Sequence, residues 1–338
     1  MNLVKVLELT LFDGVYPISK VRVCPPTKPL NTYEEVLRAY KENLARVIRV
    51  WQQYWNYVMA AHRITVPLVF NSVLIRDCIE KGKCLDDGGA RYNTSPTTLC
   101  SGMVNVANSL AAIKKCVFED KLFTLEELKK ALAENFKGHE RIHKKLLDAP
   151  KYGNDDDYVD SIYVDLWKSY CEYVSRQTNY LGEKYDPAAL SISAHAPFGK
   201  ACGATPDGRV AGRSLADAVQ SAFPGTDVNG PTALINSAVK LDSVPMRSTQ
   251  LNMKFHPSVL KGVDGSKKLL ALIKTYFDKG GYHVQFNVVD SAMLRDAQKH
   301  QENYRDLIVR VAGFSAYWVE LGKSIQDEII ARTEYMVV

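Results

Sequence analysis

Apolar residues recur at helical spacing from the start of the chain. Leu3, Val4, Leu7 and Leu11 form one stripe, which predicts a helix over residues 1–12 that opens without a cap. The capping box Thr32-Tyr-Glu-Glu35 opens a long helix with Val36, Tyr40, Leu44, Val47, Trp51 and Trp55 on one face. Residues 66–80 are apolar, and DDGGARYNTSP (86–96) reads as a loop. A helix is expected over 102–117, and a second capping box, Thr124-Leu-Glu-Glu127, opens another. KYGNDDDYVD (151–160) leads into a helix over 158–177. Residues 182–232 are rich in Gly, Pro, Ser and Ala and read as long ordered loops or a linker, with the main boundary near 210–216.

The last third alternates. A helix is expected over 266–278, then a strand over YHVQFNVV (282–289), with Val284, Phe286 and Val288 on one face and His283, Gln285 and Asn287 on the other. That polar face is a candidate pocket lining, although any one-sided strand alternates in this way. Asp290 is a plausible cap for a short helix. DLIVRV then runs into Gly313, and a final helix is expected to be capped by Ser324, with Asp327 three residues on. There are no internal repeats. The class is mixed α/β with a large helical share.

Composition narrows the function classes. With 46% hydrophobic residues, 338 residues supply a real core in two domains or one large one. The net charge of +5 is spread thinly with no basic run, so a nucleic-acid partner is not expected. No apolar stretch reaches the roughly 18 residues of a membrane span, and Lys5 and Glu8 stand where a signal peptide would be apolar, so a soluble cytoplasmic protein is expected. Cys24, Cys78, Cys84, Cys100, Cys116, Cys171 and Cys202 are odd in number, widely spaced and without a CxxC, which reads as free thiols.

Three motifs invite chemistry and fall to plainer readings. His139, Glu140 and His143 match HExxH, yet Arg141, Lys144 and Lys145 surround them and no third ligand is evident, so a solvated amphipathic helix is preferred. Asp155, Asp156 and Asp157 suggest calcium, but the EF-hand places six and twelve hold Asp160 and Leu166; acids before a helix stabilise its positive end. FGKACG and DGSKK lack the GK[ST] of a P-loop. No metal and no bound cofactor is expected.

By spacing alone Gly313 is a turn glycine. RVAGFSAYWVELGKSIQDEIIARTE (310–334), however, resembles the C-terminal signature of the glycyl radical enzymes, the family of pyruvate formate-lyase and its dehydratase, decarboxylase and lyase relatives. The signature's arginine, small residues, glycine and aromatic correspond to Arg310, Val311–Ala312, Gly313 and Phe314, the last replacing the usual tyrosine. GGARYN (88–93), NSLAAIKK (108–115), FGKACGATPDGR (198–209), GPTA (230–233) and GGYHVQFNVVD (280–290) are similar to family stretches in the same order, so the resemblance covers essentially the whole chain.

The resemblance implies the second half of a pyruvate formate-lyase-like α/β barrel with many surrounding helices over 1–215, and a glycyl radical domain over 216–338. It implies Gly313 as radical carrier, with Arg310, Ala312 and Phe314 shaping its loop and His283, Gln285 and Asn287 as barrel lining. Only glycine, without a Cβ, flattens freely at its α-carbon, and apolar neighbours are expected to keep water and oxygen away. An activating enzyme with an iron–sulfur cluster and S-adenosylmethionine would install the radical, which would pass to a cysteine and then to a small-molecule substrate. The family's Gly-Cys-Val-Glu loop has no match here; Cys116 comes closest, but Glu119 is one position late. The expectation is therefore the C-terminal part of a glycyl radical lyase, starting just downstream of its thiyl cysteine. It would work with a Cys-bearing N-terminal half, as a homodimer when whole. The alternatives are a radical-domain donor to a full-length homologue and an inactive remnant. An isolated half-barrel is also expected to expose strand edges and apolar surface, and oxygen to cleave an activated chain at Gly313.

Overall fold

The computed structural model describes residues 1–337 apart from 17–18, 27–28 and 94–96. The end of the loop expected over 86–96 thus lies outside the described residues.

Helix α1 (Leu3–Leu11) is capped after all: the Asn2 side chain accepts from the Lys5 N–H at 3.3 Å. Asn is a favoured cap because its short side chain reaches the orphan N–H groups of the first turn. Both predicted capping boxes form, opening α2 (Tyr33–Thr65) and, later, α4 (Leu125–Ala133). Strand β1 (Thr97–Cys100) runs into α3 (Met103–Ile113), every residue of which is buried, and α3 relaxes into a π-helical turn over Lys114–Glu119. Two further helices follow, α5 (Glu140–Asp148) and α6 (Asp157–Ser175). Asp156 caps α6 through the Tyr158 N–H, while Lys240 pairs with Asp155, Asp157 and Asp160 at 2.9, 2.7 and 2.8 Å. The triple aspartate is thus a cap and an ion-pair platform.

The stretch expected to be loops holds a short strand, β2 (Asp186–Ala189), and a short helix, α7 (His195–Lys200). Much of the rest is irregular and buried. Arg209 makes that possible: it is itself buried and donates to the carbonyls of Gly203, Val210 and Arg213, the last two at 3.0 and 2.7 Å. Buried backbone needs such partners.

Beyond α8 (Pro231–Val239) come β3 (Leu251–Phe255), α9 (Gly262–Asp278), β4 (Val284–Val288) and α10 (Ser291–Lys299), the last capped by Asp290 as expected. A hairpin, β5 (Ile308–Arg310) and β6 (Ser315–Tyr317), precedes α11 (Lys323–Ala331) and β7 (Glu334–Tyr335). The final helix begins one residue before the expected cap, Ser324. Its N-cap is Gly322, and Lys323 pairs instead with Asp327 one turn on.

β1 and β2 pair in parallel, as do the three strands in the order β4-β3-β7, while β5 and β6 are antiparallel. Arg247 N–H to Pro187 carbonyl and Ala189 N–H to Ser248 carbonyl, at 2.8 and 2.9 Å, stitch β2 to the segment entering β3. One apolar core joins α1, α3 and α6 to β3 and Tyr335, so it runs across the boundary expected near 216; a smaller core around Leu294, Val309, Trp318 and Ile329 lies under the hairpin.

The outer half of α2 stands apart. Its buried stripe ends at Gln52, and Tyr57, Ile64, Phe70, Leu74 and Ile79, on it and on the segment after it, are exposed.

Candidate functional site

Gly313 sits at the tip of the β5–β6 hairpin, whose loop closes with the Val311 N–H donating to the Phe314 carbonyl at 2.9 Å. Its φ is +88°, the left-handed region that favours glycine. Space does not require the glycine: a Cβ there would meet only Gln250 Nε2 at 3.5 Å and Leu190 Cδ1 at 3.7 Å. Ala312 is buried beside it, whereas Gly313 and Phe314 are exposed on this chain, so the expected apolar enclosure is not formed by these residues. No cysteine atom lies within 4 Å of that Cβ position.

The hairpin rests on a polar bed. On β4 the expected alternation is present, but the polar face is the buried one: Gln285 and Asn287 are 7% and 5% exposed, and Val288 is 44%. Asn287 brackets Arg310, accepting from its N–H at 2.8 Å and donating to its carbonyl at 2.7 Å. Gln285 Oε1 accepts from Arg310 Nε at 2.6 Å and from the Gly313 N–H at 3.3 Å. Arg310 in turn donates to the Gly313 carbonyl at 3.3 Å and to Ser315 Oγ at 3.2 Å. His283 stands just before β4; burial first, and the nearby Arg310 charge second, hold its imidazole below the usual range. The structure thus gathers Gly313, Arg310, Gln285 and Asn287 into one network, with Ala312 and Phe314 in the loop and His283 at its margin.

Asn252, Arg332, Glu328 and Gln250, with Asp217 and His195 against them, were not singled out in the sequence and complete the bed. Asn252 on β3, opposite Gln285 in register, accepts from Gln285 and donates to the Asp217 carboxylate and to the Val311 carbonyl. Arg332, after α11, sits 3.3 Å from Asp217 and donates to Glu328 at 2.9 Å. Glu328 also meets His195 Nε2 at 3.2 Å. Burial alone would raise Glu328; the Arg332 guanidinium, the largest opposing influence, and His195 hold it down at about 2. Burial pushes the Asp217 carboxyl up, against Arg332 and Asn252. The fourth, Gln250, is fully buried beside Gly313 with neither end of its amide hydrogen-bonded. One signal could have found the β3 residues: Gln250, Asn252 and Lys254 alternate with Leu251, Met253 and Phe255, the period of the polar face on β4.

The remaining candidates disperse. His139 Nε2 meets Glu134 at 2.8 Å, while His143 stacks on Phe136 and meets the Gly208 carbonyl at 2.9 Å, so the two imidazoles serve different partners. Among the described residues His256, Asp290 and Glu334 converge closely enough to suggest a cation. His256 Nδ1, however, accepts from the Ser258 N–H at 3.2 Å, so in the neutral ring Nε2 carries the hydrogen and faces the carboxylates as a donor. All seven cysteines are free; burial pushes Cys100 and Cys171 up to about 12. No helix is long and apolar enough to cross a membrane, among the described residues.

A glycine-tipped hairpin locked on a parallel α/β core is an arrangement for one backbone position. The pyruvate formate lyase-like family matches residues 1–199 and the glycine radical family residues 217–319. The chain belongs to the pyruvate formate lyase-like family and carries the glycine radical domain. Among curated relatives it is 50% identical to an indoleacetate decarboxylase of Tractidigestivibacter scatoligenes, over 98% of this chain and 40% of the relative. It is 43% identical to a 4-hydroxyphenylacetate decarboxylase glycyl radical subunit of Clostridioides difficile, over 98% of this chain and 39% of the relative. Among solved structures, the glycerol-bound B12-independent glycerol dehydratase of Clostridium butyricum matches with TM-score 0.94 and 44% identity, over 99% of this chain and 43% of that one. The chain therefore spans about two fifths of the length of the relatives it matches.

Proposed function

We propose that this chain is the radical-bearing C-terminal portion of a glycyl radical lyase, with Gly313 as the radical store. The observation that carries the reading is Gly313 itself, held at φ +88° on a hairpin whose arginine and neighbouring backbone are fastened on every side. A radical S-adenosylmethionine activating enzyme takes one α-hydrogen atom. The carbon flattens, and Arg310, Ala312 and Phe314 keep the loop in register while it does so. The radical then takes a hydrogen atom from a cysteine thiol, leaving a thiyl radical that attacks a small molecule. That cysteine belongs to a Cys-bearing N-terminal portion, not to the seven here, and the whole enzyme works as a homodimer in the cytoplasm. His283 lines the barrel beside the hairpin. Decarboxylation of an arylacetate is the first activity to assay, because indoleacetate and 4-hydroxyphenylacetate decarboxylases are among its relatives; dehydration comes second. A donated radical module would need little beyond 216–338, and the core that runs through that boundary speaks against it.

The test is anaerobic incubation with a cognate activating enzyme, followed by electron paramagnetic resonance. A doublet from one α-proton is expected, collapsing when Gly313 is deuterated at the α-carbon. Admitting oxygen should then cut the chain at Gly313 and release its last 25 residues as a fragment. An intact, silent chain with an activase that works on a full-length relative would sink the reading.

A further inference from the structure

The two polar ends of the Gly313 residue are each held by a side chain of matching character. Its N–H donates to Gln285 Oε1 and its carbonyl accepts from Arg310 Nη2, both at 3.3 Å. The same Gln285 oxygen accepts from Arg310 Nε at 2.6 Å, so the amide and the guanidinium act as one unit.

A chain of partners sets which way the Gln285 amide points. Asp217 pairs with the Arg332 guanidinium at 3.3 Å, and a paired carboxylate only accepts, so Asn252 turns its Nδ2 toward it. Asn252 Oδ1 then accepts from Gln285 Nε2, which leaves Gln285 Oε1 directed at Gly313 and Arg310. Each link is buried, so water does not compete for the orientation.

We infer that Gln285 is a positioning residue for the radical: with Arg310 it forms a polarising clamp that draws unpaired spin from the Gly313 α-carbon onto the flanking nitrogen and carbonyl. The inference rests on the reading of Gly313 as radical carrier. When an alkyl radical supplied by the activating enzyme takes the hydrogen atom, the Cα–H bond breaks homolytically. The hydrogen leaves with one electron to make an alkane, and the other electron stays on the carbon. The nitrogen lone pair then pushes toward the flattened carbon and the carbonyl withdraws from it. The N–H becomes a stronger donor and the carbonyl oxygen a stronger acceptor. Both held contacts therefore strengthen in the radical state, and only such differential contacts favour it over the resting glycine. Both are long at rest, which leaves them room to shorten.

The test uses the full chain, its activating enzyme and anaerobic electron paramagnetic resonance. Gln285→Leu fills the space without an acceptor. The expected result is a wider α-proton splitting, because more spin stays on carbon, with a radical yield reduced roughly fivefold, the worth of about one hydrogen bond. Gln285→Glu, a carboxylate paired with Arg310, still accepts from the Gly313 N–H and returns the splitting toward that of the unsubstituted chain. Asn287→Leu loosens the hairpin through the Arg310 backbone but touches neither end of Gly313, so it lowers the yield and leaves the splitting alone. A Gln285→Leu spectrum identical to that of the unsubstituted chain overturns the clamp. So does amide exchange at Gly313, measured without activation, that fails to quicken in Gln285→Leu. If the unsubstituted chain forms no radical, the radical-carrier reading has failed and the clamp falls with it; a normal radical with an unmoved spectrum sinks the clamp alone.

Discussion

Two regions of this chain invert the rule that apolar residues go inside, and they do so in opposite ways. Under the hairpin, the polar faces of β3 and β4 are buried and nearly every atom there has a partner. On the outer half of α2 and the segment after it, Tyr57, Ile64, Phe70 and Leu74 face outward. Buried polar groups are tolerable when the network closes, and become costly when one member is missing. Exposed apolar surface of that extent is tolerable only when something covers it. The first region closes on itself apart from the Gln250 amide; the second has no cover among the described residues.

Breaking the closed network should have the largest effect. Arg332→Ala leaves the carboxylates of Asp217 and Glu328 buried without their guanidinium, and removing one partner of a buried ion pair costs roughly 3–5 kcal/mol. Urea denaturation would read the loss, and a change under about 1 kcal/mol would mean that the network is looser than its geometry.

Acid attacks the same place. The Glu328 carboxyl is held below its unfolded value of 4.5, at about 2, so its contribution is fully present above pH 4.5 and disappears as the pH falls toward 2. Stability followed from pH 6 to pH 2.5 should decline less steeply in Glu328→Gln, which has no such proton to take up; parallel curves would remove Glu328 from the account.

A smaller and opposite effect is expected at Gln250. Its amide is buried with both ends unpaired. Gln250→Leu should be neutral or stabilise the chain by about 1 kcal/mol, because an orphaned polar group costs more than it returns. A large destabilisation would reveal a partner for the amide.

The smallest effect belongs to the open region. Tyr57→Lys with Phe70→Glu should shift stability by less than about 0.5 kcal/mol, since neither side chain is packed. The same pair should reduce binding of a hydrophobic dye and of any partner that covers α2. An equal loss of stability in both regions would erase the contrast between them.

Local chemistry made much of the architecture legible. The capping boxes at Thr32 and Thr124, the acids before α6 and the cap at Asp290 each act within one turn of their own helix, and all are present. The cap of α1 escaped because Asn2 lies one residue inside the chain's start, and Gly322 displaced Ser324 as the cap of α11. Period-2 alternation on β4 was also visible, with Gln285 and Asn287 sharing a face with His283.

Which side of that strand turns inward was not a property of the strand. The sequence by itself determined the helices, the strand with its two faces, and the signature around Gly313, because each depends on neighbours a few residues away. Only the tertiary structure decided that the polar face is the buried one. That choice depends on Asp217, Asn252, Gln285 and Arg332, which are separated by 33 to 47 residues from one to the next and meet only because β3 and β4 pair in parallel and α11 returns its C-terminal end beneath the hairpin. A buried amide is affordable where its donors and acceptors are all met, and that condition is set by the assembled fold rather than by any one segment.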